Sequence, residues 1–164
     1  MSTHTYIELF AAALQASATL RAYCVARWGR GALIQVDESP TAPLTHDDAP
    51  WVCLISWPTE EQGPVATNAR HPILLACGTA PRQAGADPAA PVVAVERSAA
   101  ANGLRRYTAA AEAEGLRDLV ITILKGVALD GALLATSEGD SDGWTHLPLA
   151  TSSAVLTVEV PQTL

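Results

Sequence analysis

Four histidines, three cysteines and the acidic pair Asp47–Asp48 are the residues of this chain whose types could do chemistry. His46, Asp47 and Asp48 together offer one nitrogen and two carboxylates, a donor set suited to a divalent cation. The three are consecutive, however, and lie in a proline-bearing stretch without the i, i+4 helical spacing that aims two ligands at one ion. No metal site is expected there. His71 precedes Pro72, which favours an extended backbone, so it reads as the start of a strand rather than as a general base. Cys24, Cys53 and Cys77 are odd in number, widely spaced and flanked by apolar residues. That pattern argues against a disulfide framework or a zinc knuckle and for small core hydrophobes. The run Asp140-Ser141-Asp142-Gly143 matches the opening of a calcium loop, but Thr151 stands where the bidentate glutamate is required. It reads instead as a solvated acidic loop. No G-x-S-x-G elbow, P-loop, dinucleotide fingerprint or C-x-x-C occurs in the sequence. The expectation is therefore a protein without catalytic residues, metal or cofactor.

Trp28, Trp51, Trp57 and Trp144 carry much of the aromatic content of a chain in which aromatics are only 5%. Tryptophan supplies large buried area either to a core or to an interface anchor. Trp51 and Trp57 are expected in the core or on a sheet face. Trp144, beside the acidic loop, is a candidate for a subunit contact, and Asp47 and Asp48 complete the candidate interface set.

A net charge of −7 leaves little room for the clustered basic face of a nucleic-acid binder. Arg21, Arg27 and Arg30 suit the end of a helix, where the backbone dipole favours cations; Arg105 and Arg106 form the other basic pair. No sequence-specific nucleic-acid binding is expected. Glu8 interrupts the first apolar stretch, no basic segment precedes it, and no run of about 18 apolar residues exists. These features lead to the expectation of a soluble protein in a reducing compartment, with no membrane partner.

The elements that must position these residues read as an α+β protein of one domain, 1–164: a mainly antiparallel sheet packed by two main helices in a two-layer sandwich. Thr5 and Glu8 have the spacing of a capping box, predicting a helix from Thr5 toward Arg27 with Ile7, Phe10, Leu14 and Ala18 inward and Leu9, Ala13 and Leu20 widening the stripe. Gly29 or Gly31 would end it. Leu33–Val36 is a short strand ending at Asp37. Pro40, Pro43 and Pro50 mark 37–50 as a loop. Trp51–Trp57 has apolar residues on both faces and so predicts a strand covered on each side. Ile73–Cys77 predicts an antiparallel neighbour. Residues 78–91 read as a second flexible excursion and Val92–Glu96 as a further strand. Ser98–Glu114 is ambiguous between a helix and a strand plus loop around Arg105–Tyr107. A helix over 116–129 puts Leu116, Leu119, Val120, Ile123, Leu124 and Val127 on one stripe, with Gly131 as its stop. A strand over Ala132–Ala135, the loop 138–143 and a half-buried final strand Ser153–Val160 close the chain.

In this order the elements resemble those of phage tail terminator and tail-completion proteins. The likeness is carried by the first helix, the Asp37-bearing loop leading into Asp48-Ala49-Pro50-Trp51, the His71–Cys77 strand, the helix at 116–129 and the closing segment 147–160. It spans most of the chain apart from the insertion at 78–91. The resemblance implies a non-enzymatic structural protein that forms a ring, typically hexameric, capping the tail tube and facing the head–tail connector. It implies residence in the host cytoplasm during assembly and in the virion tail or neck afterwards. A small-ligand-binding or enzyme domain with a cleft between helices and sheet is the alternative, as is another neck or baseplate adaptor with the same sandwich.

Overall fold

A computed structural model describes residues 2–37, 41–56, 68–80, 97–99, 105–137, 145–146 and 149–161. The first predicted helix is two helices, α1 (Thr3–Ala16) and α2 (Ala18–Trp28), bent by 61° at Ser17. Ser17 is extended and caps both: its amide donates to Leu14 O at 3.2 Å, and its hydroxyl accepts from the Leu20 amide at 3.1 Å. The N-cap of α1 is Ser2, not Thr5, because Ser2 Oγ already accepts from the Thr5 amide. Glu8 consequently faces His4 one turn back, at 3.5 Å, instead of closing a capping box. The inward stripe of α1 is Tyr6, Ile7, Phe10, Ala11 and Leu14. Leu9 is exposed, and Ala18 opens α2. Bending at Ser17 turns Leu20, Cys24 and Trp28 of α2 into the same core. Gly29, left-handed at φ 71°, ends α2 as expected.

The sheet consists of β1 (Leu33–Val36), β2 (Trp51–Ser56), β3 (Asn68–Thr79), β8 (Leu149–Pro161) and β6 (Leu133–Ser137) in that spatial order, with β7 (Thr145–His146) paired to the start of β8. All pairs are antiparallel except β1–β2. That one parallel pair explains the length of the loop 37–50. Parallel neighbours cannot be joined by a hairpin and need a crossover of roughly a dozen residues. Pro72 lies within β3, in register with Thr157 of β8. A separate two-stranded pair, β4 (Arg97–Ala99) and β5 (Arg105–Tyr107), leads directly into α3 (Thr108–Lys125). The helix thus starts within the alanine-rich stretch and ends before the expected Leu129. Gly131 (φ 87°) instead serves the turn before β6, together with Asp130 (φ 47°). Trp57, most of 78–91, Val92–Glu96 and the loop 138–143 lie outside the described residues.

One face of the sheet carries the main core. Val52 and Leu54 of β2, Ile73, Leu75 and Cys77 of β3, and Leu156 and Val158 of β8 are fully buried beneath α1, α2 and α3. Leu116, Val120 and Leu124 supply the contact from α3, which lies over β3 and β8, while α1 lies over β1, β2 and β3. Ile123 is only half-buried, so the helix is rotated from the sequence-based expectation. The opposite face holds a smaller cluster of Ala49, Trp51, Cys53 and Ala80, flanked by Leu44, Ile55, Ala76 and Leu149. Loop residues Leu44 and Ala49 therefore cover one end of that face. Trp51 pairs with Gly78, and its indole fills the place where a side chain at 78 would stand.

Two stability experiments follow from this packing. Leu124→Ala should cost about 2–5 kcal/mol and Ile123→Ala clearly less, measured by denaturant unfolding; the reverse ranking would show α3 to be rotated differently. Gly78→Ala should destabilise by about 1–3 kcal/mol or more through overpacking. Combining it with Trp51→Leu should restore part of the loss, a coupling that independent sites do not show.

Candidate functional site

The polar side chains that drew attention in the sequence are anchored one by one to local structure. Arg30, just past α2, donates from both terminal nitrogens to the main chain of the crossover loop, to Asp47 O and Asp48 O at 3.0 Å each. Between them lies a short 3-10 turn, His46–Asp48. The Asp48 carboxylate accepts from the amide and the hydroxyl of Thr45, both at 2.8 Å. These bonds hold the carboxyl below its ordinary range, the Thr45 amide contributing most. His46 Nε2 sits 3.4 Å from Asp47 Oδ1, and the Asp47 side chain is mostly exposed. Of the candidate interface residues, Asp47 is thus available at the surface, Asp48 is turned inward on the loop, and Trp144 lies outside the described residues. The Ala49–Pro50 peptide is cis and delivers the chain into β2.

Asp37 closes the other side of the crossover. It adopts φ 58°, its amide donates to Leu54 O at 2.8 Å, and its carboxylate accepts from the Ser56 amide at 3.2 Å. His71 lies within β3 on the helix-covered face, where Nδ1 is 3.0 Å from Thr3 Oγ1 and the ring is 5.3 Å from that of Tyr6. Burial lowers its pKa. The three cysteines form no disulfide and are all buried. Burial pushes the Cys24 thiol up to about 11 and raises Cys77 further still, which suppresses thiolate at neutral pH. Arg27 stacks over Tyr23 at 3.7 Å from the ring centroid. Arg117 bridges Asp118 and the buried hydroxyl of Ser152. Thr79 Oγ1 donates to Ala109 O at 2.8 Å, fastening the end of β3 to the first turn of α3. Among the described residues no three His, Cys, Asp or Glu side chains converge as metal ligands.

A concave feature of the described surface is one that sequence reasoning did not single out. A groove of about 370 Å³ lies between the Ser17 bend and the outer edge of β1, lined by Leu14, Gln15, Ser17, Leu20 and Arg21 on the helical side and by Gly31–Ile34 on the other. It draws on two chain segments, 14–21 and 31–34. Its local signal was Ser17, a strong N-capping residue in the middle of an otherwise continuous helical pattern. Its lining mixes aliphatic side chains with the polar Gln15, Ser17 and Arg21, of which Gln15 and Arg21 are exposed.

Fold and surface together define the class, a two-layer α+β sandwich with a groove of mixed polarity at one sheet edge. Comparison of the chain with known protein families and with curated proteins finds no match.

His71 generates a pH prediction. A histidine whose folded pKa lies below its ordinary value of 6.5 contributes stability that is fully present above that value. The contribution is lost as pH falls toward the folded pKa, because the unfolded chain takes up the proton first. Thermal unfolding across this range should show wild type weakening below about pH 6.5 and His71→Gln responding less; equal slopes would show that His71 is not the group responsible.

Proposed function

We propose that this chain is a structural tail-assembly subunit of a phage or prophage, one that forms a ring capping the tail tube and joins it to the head-side connector. The observation that carries the reading is the order of elements. The broken first helix, β1, the Asp37 crossover into Trp51, β3, α3 and the closing β8 follow the order on which the resemblance to tail terminators rests, and they build one sandwich. The anchoring of His71, Asp48, Arg30 and Arg117 to local structure agrees with a role in which shape, rather than bond chemistry, is the working property.

In this reading the subunit works by repeating one heterologous contact around a closed axis, with six copies as the expected number. An acidic subunit suits a lumen through which DNA passes, because like charge discourages adhesion of phosphate. Assembly takes place in the host cytoplasm and the ring remains in the tail or neck. The groove beside β1 favours the second reading, a small-ligand-binding domain, since it is concave and combines aliphatic side chains with the polar Gln15, Ser17 and Arg21.

Electron microscopy of the protein mixed with its own tail tubes tests the two. The ring reading expects tube ends capped by rotationally symmetric density. Bare tube ends beside unbound protein at high concentration would overturn it and leave the ligand-binding reading in its place.

A further inference from the structure

The two ends of the sheet differ from ordinary protected edges. Among the described residues β1 pairs only with β2 and β6 only with β8, so each presents an unpaired row of backbone groups. Soluble proteins blunt such edges with lysine, proline, inward charges or bulges. Both strands are short, which is itself a protection, but neither carries any of these: β1 reads Leu-Ile-Gln-Val and β6 reads Leu-Leu-Ala-Thr-Ser. The edges also carry two of the few exposed large hydrophobic side chains, Leu33 at 40% and Leu133 at 67% exposure.

We propose that these edges are complementary to each other, and that the chain associates head to tail by adding β6 of one copy to β1 of the next. The occupant of the β1 edge and its groove is thus a second copy of this chain. The proposal deepens the ring reading by supplying the contact, and it rests on that reading only for closure of the assembly.

Strand direction and side-chain parity both agree. β1 runs with β2, and each later step across the sheet reverses direction, so β6 runs opposite to β1. A neighbour placed beside β1 with its helices on the same side therefore presents β6 antiparallel, the better-bonded arrangement. Leu33 is in register with Trp51 and Leu133 with Glu159, and both of these point away from the helices. Ile34 and Leu134 share the helix-covered face, in register with Val52 and Val158. On joining, Leu133 crosses Gln35 and reaches Leu33 diagonally, a separation that long side chains span. Leu134 meets the mouth of the groove lined by Leu14, Leu20 and Ile34.

Size decides how strong this contact is. Strands of four and five residues do not by themselves bury the roughly 1,200 Å² of a stable interface. A single contact of this size is weak, so assembly depends on concentration. Because the contact joins two different surfaces, it propagates until rotation closes it into a ring or fails to close and yields a filament.

Sedimentation velocity over a concentration series, on the full chain and on single variants, tests the proposal. Wild type should grow from monomer to larger species. Leu33→Glu and Leu133→Lys should each weaken association by about tenfold or more. An equimolar mixture of the two should recover it, because Glu on one edge then meets Lys on the other while the second contact stays native. Gln35→Glu, on the same face of the same edge, replaces Leu33→Glu if that variant melts early. A wild type that stays monomeric at millimolar concentration, or assembly indifferent to every one of these variants, would overturn the edge contact. The failures are distinguishable: closed rings insensitive to the variants sink this contact and keep the ring, whereas open filaments sensitive to them do the reverse.

Discussion

Because β3 and β8 pair along their whole length, from Asn68 opposite Pro161 to Thr79 opposite Ala150, every other element has a fixed place to dock. The ladder sets the parity of both faces at once. A slip of β8 by one residue would turn Leu156 and Val158 away from the helices and bring Val155 and Thr157 beneath them. The strands bind sequence positions about eighty residues apart, so the loop-closure entropy between them has to be overcome before the helices gain a surface to cover. α3 then spans both strands, and the Thr79–Ala109 and Arg117–Ser152 bonds tie its first half to the ladder's far end.

The remaining strands hang from this pair with unequal security. β2 is covered on both faces, Val52 and Leu54 by helices and Trp51 and Cys53 by the crossover loop and its neighbours. β1 is held by a single parallel ladder and by the packing of α1, with Arg30 fixing the loop that follows it. The groove exists because of that asymmetry. α1 stops at Ser17, α2 turns away, and a short edge strand is left with nothing beyond it among the described residues.

Much of this was legible in the residues, and the gaps have physical causes. Alternation in Ser153–Val160 and apolar character on both faces of the stretch from Trp51 identified the strands seen over Leu149–Pro161 and Trp51–Ser56, since period two and two-sided burial leave direct marks on composition. Strand direction leaves none, so the parallel β1–β2 pair, and with it the reason for a long loop at 37–50, was not readable. The helix break was masked because apolar residues recur at helical spacing on both sides of Ser17, and a periodicity count does not feel a change of axis. Alanine explains the early start of α3: Ala109 and Ala113 pack against Ala150 where a larger side chain would mark a stripe, and their small size made the segment ambiguous. Spacing alone led to the expectation of no metal site at His46, Asp47 and Asp48. The attachment of Asp47 and Asp48 to Arg30 required the fold.

The fit of Trp51 against Gly78 has an evolutionary side. An indole that occupies its neighbour's side-chain space makes the two positions one character in descent: glycine can be replaced only after, or together with, a reduction at 51. Relatives that have drifted past recognition in every surface position should still trade volume between these two sites, so a bulky aromatic in one strand facing glycine in the next is a mark by which distant members of this lineage can be sought.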